Sequence, residues 1–128
     1  MAIKVLVIDL DSNVLAGAQR SLASSRYDVA VARHGVEGMR SFHEWAPAVT
    51  LIEVFMPDKD GIECLLEIKR AASEAKVIAM TGGGALKQEY VLNLATKLGA
   101  DGVLAKPFTP QELRSAIRSV LLPPSERD

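Results

Sequence analysis

Short apolar runs that alternate with segments of helical spacing constrain this fold more than any other feature of the sequence. The first run, Ile3 to Ile8, is rich in β-branched residues and nearly continuous, which is typical of a strand covered on both faces. The residues after it recur at the spacing of one helix face: Val14, Leu15, Ala18 and Leu22. Because parallel strands need crossover connections, this alternation predicts a parallel sheet with helices on both faces.

The alternation continues along the whole chain and predicts an α/β domain of five strands and five helices. Further strands are expected at Asp28 to Ala32, Val49 to Val54, Ala75 to Met80 and Gly102 to Ala105. The later helices are predicted from three further apolar faces: Val36, Met39 and Phe42; Ile62, Leu65, Leu66 and Ile68; and Val91, Leu94, Ala95 and Leu98. Ser12 is the predicted cap of the first helix, and Thr109-Pro110-Gln111-Glu112 predicts a capping box for the last. We expect residues 1–122 to form one domain and residues 123–128 a short polar tail.

The balance of charges excludes some classes of partner. Fifteen Lys and Arg residues against sixteen Asp and Glu residues give a net charge of −1, so no overall field attracts nucleic acid or an anionic membrane. The only cysteine, Cys64, has no partner for an internal disulfide, and the N-terminus lacks the layout of a signal peptide. No apolar run reaches the roughly 18 residues of a membrane span. We therefore expect a cytoplasmic protein.

Polar side chains follow the predicted strands at the points where ligands bind in open parallel sheets. Asp9 and Asp11 follow the first strand, and the other ends carry Glu53, Thr81 and Lys106. Clustered carboxylates repel one another unless a lysine, a metal ion or protonation balances them, and Lys106 is the nearest candidate. The alternative is that these residues only cap helices and bind loop amides.

Four segments in order, VLVIDLDSN, MPDKDG, Thr81 and AKPFTPQEL, make the sequence similar to the receiver domains of bacterial two-component response regulators. The resemblance covers the chain from Ile3 to Leu121. It implies the flavodoxin-like strand order 2-1-3-4-5. It also implies a reaction in which an aspartate at the third strand end accepts a phosphoryl group from a histidine kinase. Receivers usually supply an acidic pair for Mg²⁺, a threonine or serine, and a lysine.

Three residues depart from the pattern of the family. Glu53 stands at the position of the phosphoacceptor aspartate, and its extra methylene enters the space for the incoming phosphoryl group. Leu10 replaces the second acid of the metal pair, so Asp9 and Asp11 are expected to bind Mg²⁺ weakly or not at all. Val103 stands where the family often has an aromatic residue. Glu53 is expected to reach Thr81 and Lys106 and so to imitate part of the phosphorylated state.

The leading interpretation is a stand-alone, atypical receiver that signals by binding proteins and does not catalyse a reaction. By resemblance, the partner is a histidine kinase or a downstream effector, and a homodimer is an alternative. The contact face around the fourth helix, fifth strand and fifth helix includes five residues: Lys87, Tyr90, Val103, Arg114 and Arg118. One alternative is a working phosphorelay receiver with Mg²⁺. Another is a small enzyme that binds a nucleotide or flavin at Gly82-Gly83-Gly84.

Overall fold

Parallel strands and helices alternate through the computed structural model, which describes residues 1–82 and 85–127. The strands are β1 (Ile3–Ile8), β2 (Tyr27–Ala32), β3 (Val49–Glu53), β4 (Lys76–Thr81) and β5 (Gly102–Ala105). The helices are α1 (Ser12–Ser21), α2 (Gly35–Trp45), α3 (Gly61–Ala71), α4 (Ala85–Lys97) and α5 (Pro110–Leu121). The predicted elements are confirmed, with strand boundaries that differ from the prediction by at most one residue.

The register of the sheet brings the polar strand ends together. The strands pair in parallel in the order β2-β1-β3-β4-β5, which confirms the predicted topology. Ile8 of β1 lies opposite Ile52 of β3, so the residues that follow them, Asp9 and Glu53, become neighbours. On the other side of β3, Thr81 pairs with Ala105, and Lys106 follows directly. The site is therefore fixed by the pairing of the backbone.

Both faces of the sheet are covered by apolar side chains. Alternate residues of β1 enter two separate clusters: Leu6 and Ile8 pack under α2, α3 and α4, whereas Val5 and Val7 pack under α1 and α5. This double burial explains why β1 reads as a continuous apolar run. Cys64 lies inside the first cluster, where burial raises the pKa of its thiol to about 12 and leaves it unreactive at neutral pH.

Two predictions about the helices are wrong in detail. Asp11, not Ser12, caps α1, because its carboxylate accepts a hydrogen bond from the Asn13 amide at 2.9 Å while Ser12 already lies in the helix. Four residues assigned to apolar helix faces are exposed: Val36, Leu66, Leu94 and Leu98. The capping box at Thr109 and Glu112 is confirmed.

The segment after α5 folds back onto that helix. A short 3₁₀ turn spans Pro124–Glu126, and the Arg127 guanidinium donates to the Val120 carbonyl at 2.8 Å and the Leu122 carbonyl at 2.9 Å. These are carbonyls at the helix end that lack helical partners. The predicted polar tail thus caps α5. Within the described ranges, no helix is long and apolar enough to cross a membrane.

Thr50 in the middle of β3 provides a test of the core. Its side chain is completely buried, and among the described residues its hydroxyl finds no hydrogen-bond partner. We predict that Thr50→Val raises the free energy of unfolding by about 1 kcal/mol, because it removes a desolvated hydroxyl and keeps the shape. Urea unfolding measures the change. Thr50→Ser is the control, which keeps the hydroxyl, loses a methyl group and should destabilise. A less stable Thr50→Val variant would contradict the prediction.

Candidate functional site

The centre of the site is an ammonium group held between two carboxylates. Lys106 Nζ lies 2.7 Å from Asp9 Oδ2 and 2.5 Å from Glu53 Oε1. Asp9 is 1% exposed and Glu53 is 7% exposed, so both charges are withdrawn from water. The three residues come from the ends of β1, β3 and β5. The expectation that Lys106 balances the carboxylates is confirmed.

The remaining oxygen of each carboxylate is also bound. Asp9 Oδ1 accepts the Asp11 amide at 2.9 Å, and Glu53 Oε2 accepts the Phe55 amide at 3.1 Å. Each carboxylate therefore has one oxygen on Lys106 and the other on a backbone donor two residues further along the chain. Buried carboxylates are stable only when they are neutralised and hydrogen-bonded in this way. Every oxygen of the two carboxylates thus has a donor, and the single ammonium leaves the three side chains with a net charge of −1.

Charge and burial act in opposite directions on Lys106. Burial by itself lowers the pKa of the ammonium, but the hydrogen bonds to Asp9 and Glu53 outweigh burial, so the pKa is raised. The folded protein therefore holds this proton more tightly than the unfolded chain does. The stabilisation is complete below the ordinary lysine pKa of 10.5 and disappears only as the pH rises through the higher value of the folded state.

Thr81 and Asp11 lie near this ion pair but do not join it. Thr81 is buried at the end of β4, and its hydroxyl donates to the Gly82 carbonyl at 3.4 Å. The expectation that Glu53 reaches both Thr81 and Lys106 holds for Lys106 only, because among the described residues Glu53 makes no hydrogen bond to Thr81. Asp11 is exposed and caps α1. The alternative of nucleotide or flavin binding at Gly82-Gly83-Gly84 depends on Gly83 and Gly84, which lie outside the described residues.

The donor set does not fit Mg²⁺, the metal ion that the resemblance implies. Mg²⁺ takes oxygen ligands in near-octahedral geometry and gives up its water reluctantly. Here the Lys106 ammonium lies between the Asp9 and Glu53 carboxylates, Leu10 packs against the core and supplies no oxygen, and the Asp11 carboxylate caps α1. In the part of the chain that the structure describes, no three His, Cys, Asp or Glu side chains are grouped as metal ligands.

The loop between β3 and α3 is held in place by contacts that the sequence patterns do not predict. Asp58 accepts the Gly35 and Val36 amides at 3.2 and 3.0 Å and so caps α2 from another part of the chain. The Val36 bond is the main reason why the pKa of Asp58 is lowered. One sign of this contact was present in the sequence. His34, the residue before α2, makes no side-chain cap, so the cap of this helix comes from another part of the chain. Gly61 lets α3 approach the loop, since a Cβ there would lie 2.4 Å from the Glu53 carbonyl oxygen.

The structure divides the predicted contact face. Tyr90 is 72% exposed on α4 and Val103 is 41% exposed on the edge strand β5. The Lys87 ammonium lies 4.7 Å above the Phe55 ring, which connects α4 to the β3–α3 loop. Arg114 does not belong with these residues, because it lies on the side of α5 that packs against α1 and donates to the Ser21 carbonyl at 3.2 Å.

Arg118, one turn beyond Arg114 on α5, is exposed, and its guanidinium donates to the Ser115 hydroxyl at 3.3 Å. Its helical position places it on the same side as Arg114. The surface that remains consistent with the sequence prediction consists of Lys87, Tyr90 and Val103, with Leu94 as a further exposed apolar residue of α4. We call these four residues the α4–β5 patch.

A five-stranded parallel sheet in the order 2-1-3-4-5, with its polar residues at the carboxyl ends of the strands, defines a protein of the flavodoxin-like class. Comparisons with known proteins identify the family within this class. Residues 5–118 match the response regulator receiver domain family. The chain therefore belongs to the response regulator receiver domains, a family of signal-transduction proteins.

Individual relatives agree with this assignment. The chemotaxis protein CheY of Halobacterium salinarum is 35% identical over 94% of this chain and 98% of its own length. A receiver domain structure from Clostridium thermocellum is 35% identical, has a TM-score of 0.83, and is matched over 93% of this chain and 94% of its own. The alkaline phosphatase synthesis transcriptional regulatory protein PhoP of Bacillus subtilis is 29% identical over 92% of this chain, which spans only 48% of that protein.

We predict that Lys106→Met destabilises the protein by about 3–5 kcal/mol at pH 8, because it leaves two buried carboxylates without a cation. Urea unfolding measures the loss. Lys97→Met, at an exposed lysine of α4, is the control and should change stability little. A Lys106→Met variant as stable as the unmodified protein would contradict the prediction.

Proposed function

We propose that this chain is an atypical receiver that signals in the cytoplasm by protein contact and is not controlled by phosphorylation. The observation that carries the proposal is the bound state of Glu53. By resemblance, Glu53 stands at the phosphoacceptor position, and both of its carboxylate oxygens are already engaged, one with Lys106 and one with the Phe55 amide.

The geometry disfavours phosphoryl transfer for two reasons. An accepting carboxylate needs a free oxygen in line with the incoming phosphorus, and a displacement of about 1 Å can cost on the order of 100-fold in rate. The glutamate side chain is longer than aspartate by one methylene, which moves its carboxylate into the space for the phosphoryl group, and one of its oxygens contacts Lys106. The reaction also needs a metal ion to neutralise the phosphoryl oxygens, and the donor set does not fit Mg²⁺. Ordinary phosphorylation is therefore not expected.

The α4–β5 patch is the surface through which we propose that the chain meets a histidine kinase or an effector. Aromatic and apolar side chains that stay exposed on a folded domain are typical of interaction sites. Tyr90 combines a large apolar ring with a hydroxyl, and Lys87 adds a charge beside it. A second copy of the chain is the alternative occupant of the patch.

Gln88 provides a link between the site and the patch. Its side-chain amide donates to the Lys106 carbonyl at 3.0 Å and to the Thr81 carbonyl at 3.5 Å. The first turns of α4 are thereby attached to the ends of β4 and β5. Tyr90 lies two residues after Gln88 on the same helix. The contacts of Lys106 with Glu53 and Asp9 help to position its backbone. Through Gln88, a shift of that backbone moves the start of α4 and with it the α4–β5 patch. This coupling does not need an aromatic residue at position 103.

The proposal predicts that the protein gains no phosphoryl mass when it is incubated with Mg²⁺ and acetyl phosphate. The double variant Leu10→Asp/Glu53→Asp restores the acidic pair and the shorter acceptor, and we expect it to be labelled. Intact-mass spectrometry measures both results. Leu10→Asp alone is the matched control, since it restores the metal pair without the acceptor. A hydroxylamine-labile adduct on Glu53 of the unmodified protein would contradict the proposal.

The link through Gln88 predicts a double-variant result. Glu53→Gln weakens the charge-assisted contact with Lys106, and we expect amide shifts of Tyr90 and Val103 to change in response. In a Gln88→Leu background the change at Tyr90 should shrink, because α4 is no longer attached to the Lys106 carbonyl. Two-dimensional amide NMR measures both effects. Gln111→Leu, at an exposed residue of α5, is the control background. Equal changes at Tyr90 in all backgrounds would exclude Gln88 as the link.

A further inference from the structure

A cleft of about 710 Å³ lies between α1 and α5 and opens beside the end of β5. The exposed wall area is mostly apolar, from Val14, Gly17 and Ala18 on α1 and Pro107, Phe108 and Pro110 on the opposite side. Six polar residues also line the cleft: Asp11, Asn13, Arg20, Ser21, Lys106 and Arg114. Pockets for small molecules typically have volumes of about 300–1,000 Å³, apolar walls and a few polar groups. The cleft has the size and composition of such a pocket.

Gly17 keeps the cleft open. A Cβ at this position would meet only the Arg20 guanidinium, at 3.9 Å, so no neighbouring backbone requires a glycine here. Glycine inside a helix destabilises it by roughly 0.5–1 kcal/mol relative to alanine. Gly17 therefore widens the cleft and lowers the stability of α1.

Two arginines give the cleft a positive end. The Arg20 guanidinium lies back over Gly17, and Arg114 reaches across from α5 to the Ser21 carbonyl at 3.2 Å. Neither forms an ion pair with a carboxylate among residues 1–82 and 85–127. Lys106, at the other end of the cleft, is already neutralised by Asp9 and Glu53. The positive charge available to a ligand is therefore concentrated at the two guanidinium groups.

From this arrangement we propose that the α1–α5 cleft binds a small aromatic anion. The flat surfaces of Phe108, Pro107 and Pro110 suit a planar ring, and the guanidinium donors of Arg20 and Arg114 suit a carboxylate or sulfonate. A neutral aromatic molecule would leave the arginines without a counter-charge, and an aliphatic anion would leave the ring surfaces uncovered. The arginine end of the cleft lies opposite the end that Lys106 lines, and the inference does not depend on the proposed function.

The probe for the test is 2-naphthoate, titrated into the 128-residue chain and followed by amide NMR. We expect saturable shifts at Gly17, Ser21 and Phe108. Gly17→Leu fills the cleft and should abolish the shifts, while it favours the helix and therefore keeps the fold. Arg114→Gln removes a charge-assisted contact and should weaken binding about 10-fold or more. The neutral analogue 2-naphthalenemethanol should bind the unmodified protein no more tightly than 2-naphthoate binds Arg114→Gln.

Arg118→Gln, on α5 but outside the cleft lining, is the matched control and should leave the affinity unchanged. Flat spectra at millimolar 2-naphthoate would overturn the proposal. Equal affinities for Gly17→Leu and the unmodified protein would also overturn it, since the ligand would then bind elsewhere. Shifts of Gly17 and Phe108 that grow with protein concentration in the absence of 2-naphthoate would assign the cleft to a second copy of the chain and would likewise overturn it.

Discussion

The ammonium group of Lys106 holds the carboxyl end of the sheet together. It binds Asp9 after β1 and Glu53 at the end of β3, and it reaches them from the far side of β4. Two carboxylates that contact the same ammonium repel each other strongly when water is excluded, because the protein interior screens charge poorly. The lysine offsets that repulsion by attracting both carboxylates. It also connects three strands that are far apart in the sequence. The arrangement of the loops around the site depends on this neutralisation.

The same contacts that stabilise the site restrict its chemistry. Each carboxylate oxygen of Glu53 has one donor, Lys106 for one and the Phe55 amide for the other, so any further ligand of Glu53 competes with these contacts. Around it, Asp58 fixes the β3–α3 loop on α2, and Gly61 brings α3 against the Glu53 backbone. The loop that follows Glu53 is therefore held by contacts with both α2 and α3.

Most of the fold could be predicted from the sequence, and part of the site could not. The apolar runs and the capping box at Thr109 located the elements because burial on two faces and helix capping leave strong local patterns. The exposure of Leu94 and the turn of Arg114 toward α1 were missed, because a helical spacing does not show which neighbour covers each side. Asp58 was missed as a cap because the helix that it caps begins 23 residues earlier in the chain.

The sequence by itself determined the order of strands and helices and the polar residues at the strand ends. These features depend on the identity and spacing of neighbouring residues, which a sequence states directly. Only the tertiary structure decided that Glu53 binds Lys106 and not Thr81, that Asp11 caps a helix and does not join Asp9, and that two arginines line one cleft. Those outcomes depend on distances of a few ångströms between separate elements, where each donor and acceptor is limited to the partners that the packing brings within reach.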